Sequence, residues 1–300
     1  MFLQQVVNGL TLGSVYALIA LGYSMVYGIL ELINFAHGEI YMLGAYFGII
    51  FFALFTAIGL TAFSLPLALA LTLLLSVVFC ASYGFTIEKI AYKPLRNASR
   101  LSPLISAIGV SIFLQNFVML TQGATDKVFP PLFGTAGLQF LSVQMTYLQL
   151  SIIGVSVILM ISLRFFVRKT RTGKAMRAVA QDKVMASLVG INIDTVISVT
   201  FVIGSALAAI AGLMVAMYYG LVNYFIGYVA GIKAFTAAVL GGIGSIRGAM
   251  LGGILLGLVE SLGGSYISSE YKDAYAFILL ILVLLVKPGG LFGKAELEKV

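Results

Sequence analysis

Charge is scarce in this sequence. Of its 300 residues only 10% are Asp, Glu, Lys or Arg, while 61% are hydrophobic, and the mean hydropathy is +1.08. Soluble domains carry about 25% charged residues, so this chain could not cover its surface with polar groups in water. A soluble globular protein is excluded. The chain has one cysteine, Cys80, set inside an apolar run, which excludes a disulfide framework and a cysteine metal cluster. It has one histidine, His37. One imidazole with flanking carboxylates makes no metal-ligand set at a recognised spacing, so no metal is expected. No lysine or arginine precedes Lys89. Without a basic n-region a cleaved signal peptide is not expected, and residues 6–29 read as a retained first span.

What the chain has instead is apolar length. Stretches at 6–29, 40–60, 65–86, 101–121, 147–167, 195–219, 228–246, 249–267 and 274–286 approach the roughly 20 residues that an α-helix needs to cross a bilayer. They are continuous rather than alternating, which favours helices over a β-barrel. The expected fold is therefore all-α: one domain over residues 1–300, a polytopic bundle of eight to ten spans, some broken or re-entrant by glycine. Most of the basic residues fall in three connections: Lys89, Lys93, Arg96 and Arg100; Arg164, Arg168, Lys169, Arg171, Lys174, Arg177 and Lys183; and Lys287, Lys294 and Lys299. An even number of spans separates each cluster from the next, so all three face the same side. By the positive-inside bias that side is the cytoplasm, with the C-terminus there. Loop 122–146 and residues 268–273 then lie outside. The same bias explains the net charge of +7 without any nucleic-acid partner. The side of the N-terminus depends on whether residues 31–45 form a short broken helix.

Four features can carry chemistry. Residues 33–39 place Asn34, His37 and Glu39 between two apolar runs. Polar groups at membrane depth are costly and face a cavity or a partner; the plainer alternative is an interfacial loop with His37 bonded to backbone. Next is the glycine series Gly241, Gly242, Gly244, Gly248 and Gly252. It lacks a following Gly-Lys-Ser/Thr, so it is no phosphate loop. Gly244, Gly248 and Gly252, spaced by four, would share one helix face for close packing, as would Gly9 and Gly13. Alternatively residues 241–244 unwind and expose backbone to a pathway. Third are the intramembrane polar residues Gln115, Asn116, Lys233 and Glu260. Gln115 and Asn116 suit interhelical hydrogen bonds, whereas Lys233 and Glu260 could pair or Lys233 could snorkel. Last is the basic segment around 168–194. Its residues 170–192, bounded by Gly173 and Gly190, predict one helix of three to four turns. Met176, Val179, Ala180, Val184 and Leu188 trace an apolar stripe that Lys183 interrupts. It is either a helix lying on anionic lipid or a docking helix for a soluble partner.

Four of these stretches, taken in order, carry a resemblance. Leu12-Gly13-Ser14-Val15-Tyr16-Ala17-Leu18-Ile19-Ala20-Leu21-Gly22 is followed by Ile33-Asn34-Phe35-Ala36-His37-Gly38. Then come the 173–190 segment leading into Gly190-Ile191-Asn192, and Val239-Leu240-Gly241-Gly242-Ile243-Gly244-Ser245. Together the chain resembles, nearly end to end, the LivH-type permease subunits of branched-chain amino acid ABC importers. Urea and short-amide permeases carry similar motifs. The resemblance implies a subunit of the bacterial inner membrane that moves leucine, isoleucine or valine. It implies four partners: a second, homologous permease, two ATPases and a periplasmic binding protein. The subunit itself would be non-enzymatic, with no cofactor of its own, since ATP is used by the partners. Asn34, His37, Glu39, Gln115, Asn116, Gly241, Gly242, Gly244 and Glu260 become candidates for the translocation pathway. Gly173, Lys174, Met176, Arg177, Ala178, Ala180, Val184, Leu188 and Gly190 become candidates for the helix that couples to the ATPase. The rival class is a stand-alone ion-coupled transporter, which would need coupling groups in mid-membrane where this chain offers few. A membrane scaffold is the weaker third reading, because it leaves the 173–190 segment unexplained.

Overall fold

The computed structural model describes residues 1–96, 98–99, 101–134, 136–140 and 143–293. Arg100, Lys294 and Lys299 of the basic clusters lie outside the described residues. The helices run α1 (Phe2–Leu30), α2 (His37–Ala57), a single turn α3 (Leu60–Phe63), α4 (Leu65–Ile87) and α5 (Leu101–Gln122). They continue with α6 (Tyr147–Lys169), α7 (Arg171–Gln181), α8 (Lys183–Leu188), α9 (Ile193–Tyr219), α10 (Ile226–Gly241), α11 (Ile246–Tyr266) and α12 (Lys272–Val286). A π-helical turn (Glu88–Tyr92) and a 3-10 turn (Lys93–Leu95) extend α4.

Seven of these helices, α1, α2, α4 with its extension, α5, α6, α9 and α11, are long and apolar enough to cross a membrane. The outward faces of α4, α5 and α6 carry large apolar side chains, among them Phe79, Ile105, Phe113, Leu120, Ile158 and Phe165, all exposed. Such a surface has its solvent in lipid rather than water. The protein is an integral membrane protein built as a polytopic helical bundle. The remaining two apolar stretches form shorter helices, α10 with 16 residues and α12 with 15. At 1.5 Å per residue each reaches about 24 Å or less, short of the ~30 Å hydrocarbon core.

The chain divides into two compact units, one made of residues 1–31, 133–197 and 232–300, the other of 32–132 and 198–231. In the first unit α1 packs along α11, and α6, α7 and α12 complete the cluster. Backbone proximity sets the α1–α11 seam: a Cβ on Gly13 would lie 2.8 Å from the Ile254 Cα, and one on Gly9 2.9 Å from the Leu258 Cα. Without a hydrophobic drive between helices in lipid, such close approach is how dispersion contacts accumulate. In the second unit α2 packs on α4, α5 and α9, with Gly44 against Ala209 and Gly48 against Leu213.

Loop 122–146 is not structureless. Lys127–Val128 (β1) pairs antiparallel with Leu221–Val222 (β4) in the second unit, and Gly137–Phe140 (β2) pairs with Val143–Thr146 (β3) in the first. Thr146 then starts α6 with a reciprocal capping box to Gln149, a signature legible as Thr-x-x-Gln.

Candidate functional site: two buried polar clusters and an amphipathic helix pair

In the second unit, an irregular stretch precedes His37, which opens α2. That places Asn34, His37 and Glu39 inside the protein, at 5%, 2% and 0% exposure. The Asn34 Oδ1 accepts from the Tyr92 hydroxyl at 2.6 Å. The Glu39 Oε1 accepts from the Ser111 hydroxyl at 2.9 Å and from the Gln115 Nε2 at 2.8 Å. Its Oε2 makes no hydrogen bond among the described residues and lies against Gly227, in the first turn of α10. Gln115 makes the interhelical bond expected of it. Asn116 does not: it sits on the exposed side of α5 and donates to the Ile112 carbonyl one turn back at 2.8 Å. Adjacent residues on a helix point about 100° apart, so only one of the two can face the neighbour.

The second cluster lies in the first unit. The Lys233 Nζ, on α10, is 2.7 Å from the Glu260 Oε1 on α11 and 2.7 Å from the Asp273 Oδ1 on α12. The Tyr16 hydroxyl of α1 donates to the Glu260 Oε2 at 2.9 Å, and the Lys233 ammonium stands 5.8 Å from the Tyr16 ring centroid. Lys233 and Glu260 are 7% and 4% exposed, so Lys233 is paired rather than snorkelling. Four helices are tied through one ammonium. Asp273 and Tyr16 escaped sequence reasoning, because Asp273 looked like an interfacial charge and Tyr16 like one apolar-run aromatic among many.

Another buried carboxylate was missed as well. Glu88, fully buried in the π-turn, pairs with Arg96, sits 3.8 Å from the Lys89 Nζ and accepts from the Ser198 hydroxyl at 2.8 Å. It joins the end of α4 to α9.

The glycine series divides. α10 ends at Gly241, and residues 242–245 form a turn before Ile246, with φ of +101° at Gly242 and +83° at Gly244. Only glycine adopts these angles without strain. The helix is thus broken where the sequence suggested unwinding, and the freed α10 carbonyls are taken up: the Leu291 and Phe292 amides donate to Leu240 and Gly241, each at 2.9 Å. Gly244 precedes α11 in a left-handed conformation, so it does not share a helix face with Gly248 and Gly252. Those two lie against α10 at Gly241 and Ala237, while Gly253 and Gly257 lie against α1. Gly248→Leu is therefore expected to force α10 and α11 apart. Overpacking of this kind costs about 1–3 kcal/mol or more, and monodisperse protein extracted in mild detergent should fall sharply. Normal yield and transport for that variant would show that the seam has slack.

The segment expected to be one helix is two. Thr170 caps α7, its Oγ1 accepting from the Gly173 amide at 3.0 Å, and Asp182 is extended (φ −157°), its Oδ1 accepting from the Met185 amide at 2.9 Å to start α8. A cap-forming Asp competes with helix continuation. Gly173 is thus no boundary; it lies inside α7, pressed on the Phe166–Val167 backbone. Gly190, at φ +84°, does follow the end of α8. The apolar stripe splits accordingly. Met176 and Val179 are buried with Gly173, whereas Ala180 is exposed, as are Val184, Met185, Leu188 and Val189. Lys174 and Arg177 are exposed and Ala178 is half-buried. α7 spends its apolar face on α6 and α1, whereas α8 buries Ala186 and leaves Val184, Met185 and Leu188 exposed among the described residues.

Apolar outer faces and seven helices of spanning length define a polytopic integral membrane protein. The profile of the family described as "Branched-chain amino acid transport system / permease component" matches residues 5–284, and the chain belongs to that family. It is 52% identical over 303 residues to the high-affinity branched-chain amino acid transport system permease protein LivH of Escherichia coli K12 and to that of Salmonella typhimurium, covering all of this chain and 98% of each relative. It is likewise 52% identical, over 305 residues and with the same coverage, to the permease protein BraD of Pseudomonas aeruginosa.

Proposed function

We propose that this chain is one of two permease subunits in an ABC importer for leucine, isoleucine and valine. Two ATPase subunits and a periplasmic binding protein complete the assembly, in the bacterial inner membrane with the C-terminus in the cytoplasm. The observation that carries the reading is similarity without gaps in coverage: half of all residues are identical across the full length of permeases named for this transport. In this reading the chain hydrolyses no ATP and needs no cofactor; it supplies half of a channel whose gating is driven from outside it. The α7–α8 pair, placed between spans α6 and α9 with Val184 and Leu188 68% and 75% exposed, serves as the seat for an ATPase. The buried clusters around Glu39 and Glu260 contribute polar groups to, or brace, the pathway.

Reconstitution tests it. The purified chain in liposomes should neither hydrolyse ATP nor accumulate radiolabelled leucine, and adding the second permease, both ATPases and the binding protein should restore both activities. Uptake by this subunit alone, driven by an imposed ion gradient, would refute the ABC assignment in favour of a secondary transporter. In the full assembly unlabelled leucine, isoleucine and valine should compete, and urea should not.

A further inference from the structure

Between the end of α6 and the body of α7 the chain crowds positive charge. Arg164, Arg168, Lys169, Arg171, Lys174 and Arg177 are all exposed, and none makes an ion pair among the described residues. The sequence offers them no Asp or Glu between Asp126 and Asp182, and one Asp182 oxygen is occupied by the Met185 amide. Other cations of this chain are matched internally. Lys89 and Arg96 share the buried Glu88, and Lys233 lies between Glu260 and Asp273.

The fold draws these cations together. α7 turns back over the end of α6, with Gly173 pressed on the Phe166 and Val167 backbone. The Arg177 Nη2 thereby reaches the Arg168 carbonyl at 3.4 Å, so two arginines of different helices meet at one corner. Arg171, Lys174 and Arg177 recur every three residues along the side of α7 opposite its buried Gly173, Met176 and Val179. On α6, Arg164 and Arg168 lie one turn apart and continue the stripe of Val157, Ile161 and Phe165. Those three are exposed apolar residues of a spanning helix. Like charges one turn apart repel, so an anion from outside the chain would stabilise this corner.

We infer that the α6–α7 corner binds an anionic phospholipid, its phosphate on Arg168 and Arg177 and its acyl chains along Val157, Ile161 and Phe165. An apolar stripe that runs directly into arginines suits one molecule carrying both long hydrocarbon and an anion. Guanidinium forks match phosphate oxygens in paired hydrogen bonds, and Arg177 commits only one of its five N–H groups to the Arg168 carbonyl. Arg164 stands five residues inside the end of α6, about 7 Å of helix rise. From there its stem extends along the helix to headgroup level, whereas a soluble partner at the helix end would leave it unmatched. Headgroup charge selects the lipid, because a zwitterionic headgroup brings a further cation into a cluster that already holds six. The bound lipid clamps α7 onto α6. This site lies apart from the exposed apolar residues of α8 and requires only that α6 spans a bilayer, so it stands whether or not the importer assignment does.

Native mass spectrometry of the full chain in mild non-ionic detergent tests it, with phosphatidylglycerol and phosphatidylcholine of identical acyl chains as probes. Saturable binding of phosphatidylglycerol is expected, about tenfold or more tighter than phosphatidylcholine. Arg168→Gln/Arg177→Gln should remove most of that preference, and Arg168→Lys/Arg177→Lys, which keeps the charge and loses the fork, should remove part of it. Lys89→Gln/Lys287→Gln takes the same charge from the ends of α4 and α12 and should leave the preference intact. Should a variant fail to fold, the two lipids on the native chain still decide. Equal binding of the two lipids overturns the proposal and leaves the basic face to an acidic soluble partner. An equal loss in Lys89→Gln/Lys287→Gln also overturns it, by reducing the effect to net charge. So does displacement of phosphatidylglycerol by inorganic phosphate at comparable concentration, which would make the corner a free-anion site.

Discussion

Lys233→Met is expected to cost about 3–5 kcal/mol, the range seen when one partner of a buried ion pair is removed and the other is left uncompensated. The structure ranks the three members of the cluster. Without the ammonium, Glu260 keeps only the Tyr16 hydroxyl, in a setting where it is 4% exposed. Asp273, with its side chain 66% exposed, can turn to water instead. Glu260→Gln should be milder, because Lys233 retains Asp273 and the amide oxygen can still accept from one donor. Asp273→Asn should be mildest, about 1 kcal/mol or less, as for exposed pairs. The informative variant is the double, Lys233→Met with Glu260→Gln. Removing both charges takes away the uncompensated carboxylate, so the double should be more stable than Lys233→Met alone. Thermal unfolding of the four proteins in one detergent measures this. A double variant as unstable as the sum of its singles would mean that the two residues act independently and that the cluster is not the brace described.

The second large effect concerns α8. If Val184 and Leu188 are apolar anchors for an ATPase, their replacement together by glutamate should reduce ATPase retained on the purified permease pair by about tenfold or more, as loss of buried interface anchors does. Insertion and pairing with the second permease should survive, since both side chains are largely exposed among the described residues. Ala178→Glu should act in the same direction, because Ala178 is half-buried between the α7 core and the surface. Neutralising Arg171, Lys174 and Lys183 together should matter less. A lipid-lying helix predicts the reverse order, with about 1 kcal/mol of membrane attraction lost per basic residue. Pull-down of ATPase and its hydrolysis rate, measured on both variant sets in one preparation, separates the two. Normal retention in Val184→Glu/Leu188→Glu, with failure of the charge-neutral set, would assign the segment to lipid.

Composition and run length alone determined the solvent of this protein and its secondary structure. Apolar stretches of spanning length can be satisfied in a bilayer only as helices, whatever their neighbours. The ends of those helices were partly legible for the same local reason, as at the Thr146 capping box and the left-handed Gly190. Close packing of Gly9, Gly13, Gly248 and Gly252 could be anticipated, but not its direction. The sequence spacing that puts Gly244 in register with Gly248 takes no account of the turn at 242–245, and which glycines face α1 and which face α10 is a property of three helices at once. The pairing of Lys233 with Glu260 was one possibility among several until burial decided it. The third partner, Asp273, and the Glu88–Arg96–Ser198 cluster come from residues up to 110 positions apart, and no local pattern marks such a meeting. Asn116 and Gln115 differ only by the direction in which they leave α5. The split of 170–192 into α7 and α8 lay in one residue, Asp182, whose side chain can cap or be carried along. In the fold the Asp182 side chain caps α8, while the apolar face of α7 is committed to α6 and α1. Local covalent geometry and solvent thus set the elements, whereas the partners of each polar group depend on which backbones can approach, and that is settled only when the helices pack.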